Sequence, residues 1–215
     1  MTTLSDDFST DNASRWTEIV GTALVWNASG YYEITSATDG VAVYNTGTGT
    51  ATHWGKVRLT AATGFGGLVL RSTGTASDLY YYVASQGGGN VWLIVGNASG
   101  WMEDMVSASM TIAQNDYIAA TVTGTGTSTV VRVWKNPANA TPAAVDGWDS
   151  AGDTADATLS LSGYVGDNFA NAGQQAGVGF WAVSAYDNWS AGDFTVGGAS
   201  AIKTILATQR RMRIG

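Results

Sequence analysis

Lys56-Val57-Arg58-Leu59-Thr60 alternates polar and apolar residues one by one, and Val130-Val131-Arg132-Val133-Trp134 returns to the same pattern later in the chain. A period of two sends successive side chains to opposite faces of a strand, so each run reads as a strand with one apolar face. The same period governs most of the chain before residue 199. Further runs rich in Val, Ile, Thr, Tyr and Trp lie at 31–35, 40–44, 67–71, 79–84, 91–95, 117–123, 178–183 and 194–196. These are the residue types that a pleated surface favours. Between them stand turn formers: Asn-Ala-Ser-Gly at 27–30 and 97–100, Thr-Gly-Thr-Gly-Thr at 46–50 and 123–127, and Gln86-Gly87-Gly88-Gly89-Asn90. Short strands at this spacing predict an all-β sandwich or barrel. The recurring turn motifs share no fixed period, so the chain is not read as a repeat protein.

Two stretches depart from the pattern. Residues 136–168 hold both prolines and the spaced acids Asp146, Asp149, Asp153, Asp156 and Asp167, and read as a long loop with one short strand at 158–161. Residues 200–213 place Ile202, Ile205 and Leu206 at helical spacing behind Ser200, a potential N-cap, and end in arginines. A short amphipathic helix and an extended arm both fit this tail, because isolated short helices are marginal. The organisation expected is one domain over 1–198 and a docking tail over 199–215.

Charge separates the same two parts. Residues 1–197 carry six of the ten Lys and Arg and all seventeen Asp and Glu, a net of −11, whereas residues 198–215 carry Lys203, Arg210, Arg211 and Arg213 without an acid, a net of +4. An acidic body with a basic end suits docking onto another surface, and Ile202, Ile205, Leu206, Arg210, Arg211 and Arg213 are the candidate partner-binding residues. The acidic body argues against sequence-independent nucleic-acid binding. No apolar run reaches a membrane span. Cysteine is absent, which excludes disulfides and thiolate metal sites. The opening Met1-Thr2-Thr3-Leu4-Ser5-Asp6-Asp7 lacks the basic and apolar regions of a secretory signal.

Four places resemble the concanavalin A-like lectin/glucanase superfamily in its laminin G-like branch. Asp6-Asp7-Phe8-Ser9 with Trp16 resembles the family's first strand. Gly66-Gly67-Leu68-Val69-Leu70-Arg71 and the run from Val131 to Asn136 resemble two inner strands. Gly177-Val178-Gly179-Phe180, followed by Tyr186 to Phe194, resembles the closing strand that returns beside the first. The resemblance implies a two-sheet antiparallel jelly-roll sandwich with adjacent chain ends, and a bacteriophage virion-associated member is expected. The superfamily hosts lectins, hydrolases and inert modules, so fold alone does not give function.

Catalytic signals are sparse. Laminarinase-type members carry Glu-x-Asp-x-x-Glu on one strand, and the three glutamates here, Glu18, Glu33 and Glu103, do not lie in that spacing. A carboxylate pair drawn from separate strands stays open. The single histidine, His53, reads as a surface or strand-end residue, and no Gly-x-Ser-x-Gly elbow occurs. No cofactor is expected; a calcium site built from oxygen ligands is the one left open, with a solvated acidic loop as the favoured account of residues 146–156.

If the aliphatic positions Val57, Leu59, Leu68, Leu70, Val91, Leu93, Val95, Val131 and Val133 face the core, strict alternation turns Lys56, Arg58, Arg71, Trp92, Arg132 and Trp134 outward. Trp and Arg together suit a sugar ring or a protein partner. The candidate carbohydrate-binding residues are Arg71, Trp92, Trp101, Arg132 and Trp134. Trp16, Trp26, Trp181 and Trp189 are expected in the core. The function expected is that of a non-catalytic virion structural protein, a bacteriophage capsid-decoration or tail-associated protein assembled in the host cytoplasm. Its partners would be other virion proteins or copies of itself, without nucleic acid or membrane. The alternative is a carbohydrate-binding lectin-like module, and a glycoside hydrolase comes third.

Overall fold

The computed structural model describes residues 3–21, 24–34, 40–62, 65–74, 80–86, 89–97, 100–162, 173–181 and 184–194. In chain order the strands are β1 (Thr3–Asp6), β2 (Trp16–Gly21), β3 (Val25–Asn27), β4 (Tyr31–Ile34), β5 (Gly40–Tyr44), β6 (His53–Ala62), β7 (Phe65–Ser72) and β8 (Tyr80–Gln86). They continue as β9 (Asn90–Asn97), β10 (Gly100–Ser109), β11 (Tyr117–Thr123), β12 (Val130–Lys135), β13 (Ala157–Ser160), β14 (Gln175–Trp181) and β15 (Ser184–Asp193). One 3-10 turn, Ala13–Arg15, links β1 to β2. Among the described residues all the strand pairings are antiparallel, and they form two sheets. The first runs β13-β12-β11-β6-β15-β4-β3, with β1 also on β15, and the second runs β10-β9-β8-β7-β14-β5-β2. The all-β two-sheet sandwich expected from the period of two is therefore the fold.

The core lies between the sheets. Val57, Leu59, Leu68, Leu70, Val91, Leu93, Val95, Val131 and Val133 all belong to one buried cluster, as alternation requires. Trp16 and Trp189 are in it, and Trp26 packs on its margin; the side chain of Trp181 lies outside the described residues. Tyr186 reaches from β15 to the facing sheet, where its hydroxyl accepts the Gly67 N–H and donates to the Gly179 carbonyl between β7 and β14. The closing strand does return beside the first: Asp6 pairs with Trp189 and Thr3 with Gly192.

Several strand limits differ from the sequence reading. β10 was not anticipated, and it pairs with β9 through an irregular register between Trp101 and Met105. Of residues 194–196, expected as a strand, Phe194 follows the end of β15 at Asp193 and belongs to no strand, and the other two lie outside the described residues. Most of residues 136–156 form the expected loop; Asp146, Asp149 and Asp156 are exposed, as a solvated acidic loop requires, while Pro137, Pro142, Gly147 and Trp148 are buried. The loop lies over the outer face of the first sheet, where Trp148 packs with Trp54, Trp134 and Ala119 as a separate small core. The Trp148 ring meets Trp54 edge to face at 5.8 Å and Trp134 at 5.7 Å. Asp153 accepts the N–H groups of Trp148 and Asp149, and Asp149 accepts those of Ala138 and Asn139. Those two acids thus cap turns, Asp149 while exposed and Asp153 while partly buried, and among the described residues no cluster of three or more His, Cys, Asp or Glu is placed to hold a metal ion.

Candidate functional site

The outer face of the first sheet carries a cleft of about 470 Å³ where the two chain-end strands meet the centre of the sheet. That volume falls in the range of small-ligand sites. Its floor is Lys56 of β6, Tyr117 of β11 and Ser190 of β15. One wall is Ala140 from the long loop, and the other is built by Asp7, Asn12 and Arg15 from the segment joining β1 to β2.

Local backbone features place these groups. β15 bulges between Asp187 and Ser190, so that Asp187 lies opposite Arg58 and Ser190 opposite Lys56 on the same face. Asn188 and Trp189 together oppose the single residue Val57, and Asn188 adopts a left-handed φ of 51° and stands exposed at the rim. At the end of β1 the two adjacent acids part company. Asp6 is buried and accepts hydrogen bonds from Trp16 Nε1, the Phe8 N–H and Asn12 Nδ2. Asp7 faces solvent, where its Oδ1 accepts the N–H and the hydroxyl of Ser9. Those two bonds, chiefly the backbone one, and the more distant charge of Arg15 lower the Asp7 pKa, so the carboxylate is anionic at neutral pH.

Lys56 is the unusual group. Its side chain is buried although it points away from the sandwich core. The ammonium donates to the carbonyls of Pro137 at 3.1 Å and Asn139 at 2.9 Å and stands 4.7 Å from the centre of the Tyr117 ring. Burial lowers its pKa, and the charge of Asp149 partly offsets that. By contrast the side chains of Arg15, Asn188 and Ser190 and the Tyr117 hydroxyl make no hydrogen bond or ion pair with the described residues. The cleft therefore offers uncommitted donors, an uncommitted carboxylate oxygen and an aromatic ring within one concavity, the groups that a polyhydroxylated ligand engages.

The residues singled out from sequence do not gather here. Trp92 lies half-buried on the outer face of the second sheet, beside the apolar cluster of Ile19, Val41, Val43, Val69 and Ile94. Trp101 belongs to β10 of that sheet, and its side chain lies outside the described residues. Arg132 and Trp134 sit on the outer face of the first sheet. Trp134 is directed outward as expected, yet it is buried, because Trp148 covers it. The expected exposure of Arg71 is also corrected. Leu70 and Arg71 together oppose the single residue Ala176, and Arg71 takes a left-handed φ of 55°. This bulge breaks the alternation and buries the guanidinium, which donates to the carbonyls of Ala51 and Gly124 at the end of the other sheet. His53 is the first residue of β6, the strand-end place expected of it, but it is fully buried rather than superficial: Nδ1 donates to the Thr50 carbonyl and Nε2 accepts the Arg71 N–H. Ile202, Ile205, Leu206, Arg210, Arg211 and Arg213 lie outside the described residues.

The sequence reading did not assign Asp7, Arg15, Tyr117, Asn188 and Ser190 to a site. The usable signal was the pairing of first and closing strands, which brings Asp7 and Asn188 together.

No family model matches the chain, and no curated protein matches it. Solved structures do. A carbohydrate-binding module, CBM66 from Bacillus subtilis, superposes with a TM-score of 0.55 at 15% identity, covering 85% of this chain and 98% of that one. The Crh5 transglycosylase in complex with NAG gives 0.55 at 14% identity over 90% of this chain and 84% of that one. A prokaryotic β-1,3-1,4-glucanase (lichenase) derived from a mouse hindgut metagenome gives 0.51 at 8% identity over 90% and 99%. At these identities the likeness shows the fold alone, a two-sheet antiparallel jelly-roll sandwich. None of these three is a virion protein, so the phage expectation gains no support from them. The expectation of a non-enzyme is corrected, because the transglycosylase and the glucanase are enzymes on this architecture. The missing Glu-x-Asp-x-x-Glu excluded only one way of presenting carboxylates, on a single strand, and a pair from different strands leaves no such spacing.

Proposed function

We propose that the protein recognises carbohydrate in the cleft formed by β1, β6, β11 and β15. The observation that carries this reading is the convergence of Asp7, Arg15, Asn188 and Ser190, none of them fully committed, around Tyr117. Sugars need several hydrogen-bonding groups arranged about an aromatic surface. Support comes also from the fold, which a carbohydrate-binding module and two glycan-active enzymes share.

The test is calorimetric titration with chitohexaose and with a mixed-linkage β-1,3-1,4-glucan oligosaccharide, while chromatography of the same mixtures reads any cleavage or transfer. Asn188→Gly removes the amide and keeps the left-handed backbone unstrained, and Arg15→Ala removes the guanidinium from an exposed position. Each is expected to weaken binding about tenfold, the worth of one net hydrogen bond to a ligand. Unchanged affinity in both variants, or no binding across a wider glycan panel, refutes the assignment. Product formation would extend the reading from recognition to turnover, and Asp7→Asn would then show whether that carboxylate takes part.

A further inference from the structure

A lysine directed away from the core of a sandwich ordinarily reaches water. Lys56 does not: it is 7% exposed and makes no salt bridge among the described residues. A buried ammonium is costly unless its donors are satisfied. Here two carbonyl acceptors, Pro137 and Asn139, take hydrogen bonds from the ammonium, and the face of Tyr117 lies beside its charge. Each contact ends on a part of the cleft or its support. The two carbonyls belong to the stretch that leads into the Ala140 wall, and Tyr117 is the aromatic part of the floor. The Asn139 carbonyl also accepts Trp148 Nε1, and Asp149 holds the N–H groups of Ala138 and Asn139 from the other side. One ammonium thus joins floor, wall and the tryptophan plug behind the wall.

We propose that Lys56 is a positioning residue for the cleft: it holds residues 137–140 and the Tyr117 ring in the geometry that the glycan meets, without contacting the glycan through its own donors. The inference rests on the carbohydrate reading above. It also explains why a lysine stands where a methionine of similar length would fill the space. Methionine would keep the packing and remove the directional bonds that set the wall.

The experiment compares the intact chain with Lys56→Met and Lys56→Arg. Chitohexaose and the mixed-linkage oligosaccharide are the probes for affinity. NMR chemical shifts of the Ala138 and Asn139 amides in the ligand-free protein report on the wall directly. Lys56→Met is expected to lose about tenfold in affinity and to move both amide signals, with its melting temperature within about 3 °C of the parent. Lys56→Arg, which keeps charge and donors, is expected to recover part of the loss. Parental affinity or unmoved amide signals in Lys56→Met overturn the proposal. So does a large fall in melting temperature that Lys56→Arg repairs together with affinity, since that would make the role one of general stability. If neither probe binds any form, the carbohydrate reading fails, and the amide shifts still decide whether Lys56 sets the wall.

Discussion

Acidification should destabilise this fold through His53 before the carboxylates contribute. The imidazole is fully buried and neutral, with Nδ1–H on the Thr50 carbonyl and Nε2 accepting the Arg71 N–H. Protonation would place a second donor against that N–H and a second cation beside the Arg71 guanidinium. Burial is the largest cause of the shift and the charge of Arg71 adds to it, while the Thr50 carbonyl opposes it, and the pKa falls from 6.5 to about 4. A base with a depressed folded-state pKa is protonated first in the unfolded chain. Its contribution is therefore complete above the unfolded value of 6.5, declines as pH falls from 6.5 to about 4, and is exhausted below that. About two and a half pH units at roughly 1.4 kcal/mol each give about 3 kcal/mol. That is a large share of the roughly 5–15 kcal/mol by which domains are stable. The carboxylates held below their ordinary value of 3.8, Asp7, Asp116 and Asp149, lose their contributions only at lower pH, so the window belongs to His53. Urea unfolding of the parent and of His53→Gln between about pH 7 and about pH 4.5 is the assay. The variant should be weaker at neutral pH but nearly flat across the window. A parent that is equally flat, or a variant that loses the same 3 kcal/mol or so, refutes the reasoning.

Trp148→Ala should cost about 3–5 kcal/mol by emptying the small core over Trp54 and Trp134; chemical denaturation measures it, and a loss under about 1 kcal/mol would mean that the loop is not packed as described. Gly177→Ala would place a methyl 2.0 Å from the Ala42 carbonyl oxygen and 2.6 Å from the Val43 Cα. Those are backbone atoms of the neighbouring strand that cannot swing aside, so a destabilisation of about 3 kcal/mol or more is expected, read from the melting curve. Asp6→Asn leaves one carboxamide oxygen where two carboxylate oxygens served three donors; the expected loss is about 2 kcal/mol, and a neutral outcome would show that those bonds are not needed to shape the wall at Asp7.

The failures of the sequence reading have separate physical origins. Alternation is a local property, and it correctly sent Val57, Leu59, Val131 and Val133 inward and Trp134 outward. Facing outward is not the same as being exposed. Exposure depends on what lies over the face, and here Trp148, a residue between the loop's turns and part of no strand, covers Trp134. Arg71 failed for another reason. One extra residue in β7 opposite Ala176 reverses every expectation that depends on strict alternation beyond it. A bulge at a non-glycine position leaves no compositional mark, whereas a glycine there would have signalled it. The cleft was hidden because it is non-local: Asp7 and Asn188 meet only through the β1–β15 pairing, and Lys56 and Tyr117 only through β6 and β11. The resemblance to a jelly roll already held the first of these pairings. Taken one step further, it would have set the exposed Asp7 and Asn188 side by side and directed attention to the chain-end strands instead of to the tryptophans. Five of the described tryptophans, Trp16, Trp54, Trp134, Trp148 and Trp189, are buried in packing, so a count of tryptophans in the sequence overstates the aromatic surface that a ligand can meet.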